Sequence, residues 1–379
     1  MRIRAVTDSR SVGRAAKLRR SLRQLGVLAI VALPCACSHR EAHDVLPFAR
    51  RFDEVFRPIG ATPLRGDDST AFAFAGLVAG NRLFTVDPER GELRSYRRDN
   101  GSLISIPGAV GDGFGEFRHP IAVAQLADRG FVVYDDKRDI LSVRDSLGNV
   151  RAETRIPHGL FGGVVALPDQ RHIILSGAFT NLGDGSGEHD LHELDFGGKR
   201  TAAYGQPRRP RSEWEKKFNA EFAAILGGET LVSGTMNSSS LRLHNLSNAA
   251  ERWIDIAPGW QHLDWPSDGV LRRGTTRQTV ADRIRNWSHK SRLMNGVFPL
   301  SGGRLVVRYQ AYSPMGSRLF YYVVADTIGR TLAITHPSYA NILESRADTL
   351  FWVSTGRGVP QAFGVAFADS DVVRNRERR

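Results

Sequence analysis

The sequence predicts an all-β fold, a six-bladed β-propeller with four-stranded antiparallel blades and short helical insertions. Three observations support this prediction: a short strand unit recurs six times, glycine supplies 38 of 379 residues, and the composition is that of a globular chain, with 41% hydrophobic and 24% charged residues. Abundant glycine favours many tight turns between short strands over long helices. The length allows one large domain or two ordinary ones.

The recurring unit is a turn of Gly, Asp or Asn followed by a short apolar strand. Its six copies begin at residues 81, 129, 170, 228, 303 and 347, spaced 48, 41, 58, 75 and 44 residues apart. A strand precedes and another follows most copies, and a last strand comes after a turn that is clearest at Asp145-Ser-Leu-Gly148. Four short strands per unit form one propeller blade, and blades must close into a ring to bury their faces. A β-sandwich, the alternative, does not predict a four-stranded unit that recurs six times.

Residues 111–148 contain the most detailed motif, with Gly111-Asp-Gly-Phe-Gly-Glu-Phe-Arg-His-Pro120 leading into a strand that is followed by Gly130-Phe-Val-Val-Tyr-Asp135. This segment resembles a blade of the NHL-repeat type and of related six-bladed propellers. The resemblance covers one blade and implies a six-bladed ring. The Asp position of that family is kept at Asp87 and Asp135, and other residues replace it elsewhere: Ser176, Ser233, Arg308 and Ser354-Thr355.

The N-terminus has the pattern of an export signal. Residues 1–24 contain eight Arg or Lys and one acidic residue, and the uncharged apolar run Leu25–Leu33 follows. Nine residues are too few to span a bilayer but fit the apolar region of a signal peptide. The segment resembles a bacterial lipoprotein signal, which implies that Cys37, preceded by the small residue Ala36, becomes the lipidated first residue. We therefore expect a signal peptide over 1–36, a linker over 37–45, the propeller over 46–372 and a basic tail over 373–379.

The net charge of +12 resides mainly in the two termini. The signal region carries a surplus of seven positive charges and the last six residues a surplus of three, so the rest is close to neutral. We therefore expect no nucleic-acid partner, because the core has no basic stripe with interleaved aromatic residues. The expected partners are the membrane, through the N-terminal lipid, and an unidentified protein or small molecule. We expect the chain to be a monomer.

Candidate ligand-binding residues are polar side chains near the starts of the predicted inner strands, where a propeller channel opens. They are His119, Asn219, Glu221, Asn295 and Asn341. In propellers that resemble sugar lactonases, such positions hold a divalent metal that activates water, but Glu221 is the only carboxylate in this set.

The densest group of potential metal ligands is Glu188-His-Asp-Leu-His-Glu-Leu-Asp195. Alternate strand residues face opposite ways, which places His189 and Glu193 on one face and Asp190 and His192 on the other. Two ligands on a face are fewer than the three or four that a metal needs, and we interpret the segment as a solvated strand edge. The sequence contains no hydrolase elbow, phosphate loop, dinucleotide motif or zinc-protease motif.

These observations predict an exported, lipid-anchored propeller that acts as a non-enzymatic binding or scaffold module at the cell envelope, with no catalytic residue, cofactor or metal. The alternative is a metal-dependent hydrolase or lactonase with its site in the central channel.

Overall fold

The computed structural model describes residues 49–65, 73–126, 128–169, 171–179, 189–205, 221–236, 238–256, 282–283, 286–287, 291–313, 317–354 and 362–368. The expected signal peptide, linker and basic tail, and with them Cys37, lie outside these residues. The described residues form 24 strands in six four-stranded antiparallel sheets, which confirms the predicted all-β, six-bladed architecture. None of the helices within the described ranges is long and apolar enough to cross a membrane.

Each blade is built from consecutive strands. Blade 1 comprises β2 (Ala75–Ala79), β3 (Arg82–Asp87), β4 (Glu92–Arg97) and β5 (Leu103–Gly108). Blade 2 comprises β6 (Pro120–Gln125), β7 (Phe131–Asp135), β8 (Ile140–Arg144) and β9 (Val150–Arg155). Blade 3 comprises β10 (Gly159–Ala166), β11 (His172–Phe179), β12 (Leu191–Asp195) and β13 (Arg200–Tyr204). Blade 4 comprises β14 (Glu221–Leu226), β15 (Thr230–Thr235), β16 (Ser240–Asn245) and β17 (Glu251–Asp255). Blade 5 comprises β18 (Leu293–Leu300), β19 (Arg304–Tyr312), β20 (Arg318–Asp326) and β21 (Thr331–Ile334).

Blade 6 joins the two ends of the ring. Its first three strands are β22 (Ala340–Arg346), β23 (Thr349–Ser354) and β24 (Ala362–Ala368), and its outermost strand is the N-terminal β1 (Phe56–Pro63), which follows the short helix α1 (Phe52–Val55). β1 pairs antiparallel with β24 from Phe56 opposite Ala368 to Pro63 opposite Ala362. The chain is therefore closed by hydrogen bonds between its first and last described strands.

A buried apolar cluster lies between every neighbouring pair of blades. The seam between blades 1 and 2, for example, packs Phe84 and Val86 against Phe131 and Val133, and the Phe84 and Phe131 ring centroids are 4.6 Å apart. Blades 6 and 1 share an equivalent cluster around Phe351 and Leu83, so the ring has no open seam. Burial of apolar surface between blades, rather than within any one of them, is what stabilises the closed ring.

One turn type recurs between the third and fourth strands of blades 2, 3 and 5. Asp145, Asp195 and Asp326 each end or follow a third strand, and a glycine with positive φ lies three residues later. The Asp326 carboxylate accepts the N–H groups of Ile328 (3.1 Å) and Arg330 (2.8 Å), as Asp145 does for Leu147 and Asn149. The Asp residue fixes the turn through its side chain, and the glycine supplies the left-handed backbone that closes it.

Asp135, at the Asp position of the NHL-like motif, has a structural role. Its side chain is fully buried and accepts four backbone N–H groups, from Arg118 (2.6 Å), His119 (3.2 Å), Lys137 (3.0 Å) and Arg138 (3.1 Å). The carboxylate thereby ties the segment that enters β6 to the turn that leaves β7. The motif marks a folding element, and the same position in blade 5 is occupied by Arg308.

Candidate functional site: the upper half of the central channel

The six inner strands, β2, β6, β10, β14, β18 and β22, line a central channel of about 920 Å³. All six strands run in the same direction, so they all begin at one end of the channel, which we call the upper end. A cavity of this size is in the range that holds small-molecule ligands in other proteins, which is about 300–1,000 Å³.

Arg308 lies in the upper half of the channel and organises its polar groups. Its Nε donates to Asn295 Oδ1 at 2.8 Å and its Nη2 to the Asn295 carbonyl oxygen at 2.8 Å. Its Nη1 donates to Asn341 Oδ1 at 2.5 Å and to the Ile342 carbonyl oxygen at 2.7 Å. All four acceptors are neutral, and one Nη2 hydrogen has no acceptor among the described residues.

Two aromatic rings also hold this guanidinium. Its central carbon lies 5.3 Å from the Phe298 ring centroid and 5.6 Å from that of Phe320, both distances at which a cation is attracted to a ring face. Because hydrogen bonds and ring contacts fix the side chain from several sides, Arg308 keeps one orientation although none of its four described acceptors is a carboxylate.

Local features of the sequence create this geometry. The register of β18 shifts between Met294 and Gly296, and such a bulge re-aims the side chain at its centre, here Asn295. Gly296 leaves room for the guanidinium, since a Cβ atom there would lie 3.2 Å from both Nε and Nη2 of Arg308.

Tyr322 positions the side-chain amide of Asn341. Its hydroxyl donates to the Ala340 carbonyl oxygen at 2.5 Å and accepts the N–H of Ile342 at 2.9 Å. Since it binds the residues on both sides of Asn341, it fixes the backbone that aims this amide at Arg308. Burial raises the pKa of Tyr322, so its hydroxyl stays protonated as that geometry requires.

Two arginines, Arg308 and Arg318, line the upper half of the channel. Burial, with a smaller contribution from the positive charge of Arg318, lowers the pKa of Arg308 to about 10, and the guanidinium remains charged at neutral pH. Arg318 also lines the channel, with its guanidinium carbon 5.5 Å from the Phe74 ring centroid. Asn295 extends the polar network by donating to Gln310 Oε1 at 2.8 Å, and Gln310 Nε2 donates to the Tyr312 hydroxyl at 2.9 Å.

The remainder of the channel differs in character. Its middle is lined by small and apolar residues, among them Val123, Val165, Ala224 and Val297. At the lower end Glu344 accepts the Val78 N–H at 2.7 Å and the Arg346 Nε at 2.6 Å, while Arg346 also contacts Gln125. Arg346 at the lower end is therefore paired with a carboxylate, whereas the four acceptors of Arg308 in the upper half are neutral oxygens.

The structure brings together two of the five predicted site residues. Asn295 and Asn341 both bind Arg308, Asn295 from the channel wall. His119 lies in the turn before β6, where its Nδ1 is 2.6 Å from Asp136 Oδ1 and it is not among the channel-lining residues. Glu221 begins β14 at the upper end, and Asn219 lies outside the described residues. Their roles in binding stay predictions.

The interpretation of residues 188–195 as a solvated strand edge is wrong for the described residues, 189–195. β12 is the third strand of blade 3, with β13 outside it, and His192 is fully buried. Burial lowers the pKa of His192 to about 4, while its Nε2 lies 3.0 Å from the His189 carbonyl oxygen. Within the described ranges, no three His, Cys, Asp or Glu side chains lie close enough together to hold a metal ion.

Sequence reasoning missed Arg308, Arg318 and Gln310 as site residues. Arg308 carried a usable signal, because it is a basic residue at a repeat position where blades 1 and 2 have Asp87 and Asp135. The other two had none, since their place in the channel depends on the pairing of β19 with β20.

The ring and its ligand-sized channel define the protein as a six-bladed β-propeller. No family model and no curated protein matches the chain. Its fold is similar to that of a protein from Bacteroides fragilis provisionally described as exported, with a TM-score of 0.57 and 12% identity over 84% of this chain and 98% of that one. It is also similar to a member of the DUF4221 family from Bacteroides vulgatus, with a TM-score of 0.57 and 11% identity over 82% and 97% of the two chains. At these identities the similarity is one of fold.

Proposed function

We propose that this chain is an exported, lipid-anchored β-propeller that acts as a non-enzymatic binding module at the cell envelope, with its ligand in the upper half of the channel. The observation that carries the proposal is Arg308, a charged group fixed in a ligand-sized cavity by neutral acceptors. Binding sites commonly combine an apolar cavity with a few polar groups held in place before the ligand arrives.

The N-terminal pattern supports export and anchoring, and a B. fragilis protein of similar fold is described as exported. The test is metabolic lipid labelling and membrane fractionation of the full chain in a bacterial host. We expect a lipid-labelled, membrane-associated product that Cys37→Ala abolishes and that Cys35→Ala retains. A labelled Cys37→Ala product would contradict the assigned attachment site.

The metal-dependent alternative is less well supported by the geometry. Among the predicted site residues whose side chains are described, Asn295 and Asn341 offer amide oxygens to a divalent ion, and both oxygens already accept hydrogen bonds from Arg308. A second cation beside this guanidinium would be repelled by it. The geometry therefore favours binding over metal-assisted hydrolysis.

Native mass spectrometry of protein purified from the envelope tests the binding role. We expect wild type to carry a small molecule and Ala224→Trp, which fills the channel, to lose it. Ala152→Trp makes the same change at an exposed position on the outermost strand β9 and should retain the molecule. Equal loads in all three proteins, or none in any of them, would contradict the proposal.

A further inference from the structure

The charge of the channel changes along its length. Its upper half holds Arg308 and Arg318, whereas its middle is lined by apolar residues such as Val123, Val165 and Val297. A ligand that satisfies both parts must itself have two parts, one that complements a cation and one that is apolar.

Arg308 is the stronger determinant of the charged part. Its four acceptors are amide and carbonyl oxygens, so its charge is not neutralised by any carboxylate among the described residues. A guanidinium already fixed in place loses little further side-chain freedom when an anion binds, which favours affinity. Its remaining Nη2 hydrogen and its half-buried charge are available to an acceptor in the channel.

Arg318 strengthens the preference for negative charge. Both guanidinium groups line the channel, and Arg318 lowers the pKa of Arg308 because the two like charges repel each other. An anionic oxygen near both would relieve that repulsion, while an ammonium group would add to it.

We propose that the channel binds an amphiphilic organic anion, with its anionic oxygen headgroup beside Arg308 and Arg318 and its apolar body among the inner strands. This inference rests on the proposed function, because it names the ligand class of the same channel. A carboxylate, sulfate or phosphate headgroup supplies the same chemistry.

Isothermal titration calorimetry with four probes tests the ligand class. Octanoate has both parts, octanol only the apolar part, acetate only the charged part, and octylammonium the opposite charge. We expect octanoate to bind at least 10-fold more tightly than octanol and acetate, and octylammonium not to bind. Octyl sulfate as a fifth probe distinguishes a general anion site, which binds it like octanoate, from a carboxylate-selective one, and either result supports the proposal.

Variants of the chain locate the headgroup. Arg308→Gln should weaken octanoate binding at least 10-fold, about 1.4 kcal/mol, and remove its advantage over octanol. Arg308→Lys, which keeps the charge, should retain part of that advantage. Arg330→Gln removes an exposed cation that pairs with Asp326 outside the channel, and it should bind octanoate as wild type does.

Because Arg308 joins two blades, the stability of each variant is checked by thermal unfolding. If Arg308→Gln does not fold, Arg318→Gln keeps the hydrogen bonds of Arg308 and should still weaken octanoate binding by a factor of about three to ten.

The two proposals fail in different ways. Equal binding of octanol and octanoate, unchanged in the arginine variants but lost in Ala224→Trp, would overturn the anion preference and leave the channel as a binding site. If no probe binds and wild type also carries no molecule from the envelope, both proposals fail.

Discussion

Asp135 offers the sharpest test of how the blades are held together. In Asp135→Ala, four backbone N–H groups lose a fully buried carboxylate acceptor. A hydrogen bond to a charged group contributes about 1.5–3 kcal/mol, and a water molecule that enters the vacated space can replace only part of this set. We expect the free energy of unfolding to fall by about 3–5 kcal/mol, which is at the upper end for a single substitution.

Two matched aspartates calibrate that magnitude. Asp87 is also buried; it accepts two N–H groups in its own turn, from Glu89 and Arg90, and its carboxylate lies 3.8 Å from Arg90 Nε, so Asp87→Ala should cost about 1.5–3 kcal/mol. Asp169 also accepts two backbone N–H groups and pairs with the His172 side chain, but it is 45% exposed and water can replace it, so Asp169→Ala should cost about 0.5–1 kcal/mol.

Urea unfolding followed by circular dichroism gives all three values under the same conditions. The order Asp135, Asp87, Asp169 is the expected result. If Asp135→Ala costs no more than Asp169→Ala, the buried carboxylate does not hold the blade turn and the structural role assigned to the repeat Asp is refuted.

Three further comparisons test the ring and its buried ionisable groups. A Cβ at Gly364 would lie 2.1 Å from Trp352 Cζ2, whereas a Cβ at Gly60 on the paired strand would have no atom within 4 Å. Gly364→Ala should therefore lower the free energy of unfolding in urea by about 1–3 kcal/mol and Gly60→Ala almost not at all. Equal effects would contradict the packing of blade 6. Burial raises the pKa of Glu344 above its ordinary 4.5, so the folded chain binds the proton of this carboxyl more tightly than the unfolded chain does. Wild type should therefore lose stability relative to Glu344→Gln as the pH rises above 4.5. A gain in relative stability over that pH range would contradict the raised pKa. Burial lowers the pKa of His192 from 6.5 to about 4, so as the pH falls this imidazole is protonated in the unfolded chain before it is protonated in the folded chain. Wild type should therefore lose stability relative to His192→Leu as the pH falls from 6.5 towards 4. Parallel pH profiles of the two proteins would contradict the burial of this side chain.

The fold was predictable because a local pattern repeats. Each copy of the strand unit encodes its own turns, as the Asp145–Gly148 turn does, and six copies leave few architectures that bury all their apolar faces. The match of Asp145–Gly148 with the turns at Asp195 and Asp326 became visible only in the structure, because different residues lie between each Asp and its Gly.

The site was only partly predictable. Asn295 and Asn341 could be placed near the channel because they lie close to the starts of inner strands, but their common partner lies on the second strand of blade 5. That Arg308 reaches both amides depends on a bulge at Asn295, on the absence of a side chain at Gly296 and on Tyr322, which holds β22. These are long-range relations that no local sequence window contains.

A crystal structure of the protein with bound octanoate would test the central claim most directly. The account predicts a carboxylate oxygen within about 3.2 Å of Arg308 Nη2, a hydrogen-bond distance, and an octyl chain directed down the channel past Val297. A carboxylate bound to exterior arginines, or an octanoate whose headgroup points towards Glu344 at the lower end, would contradict it.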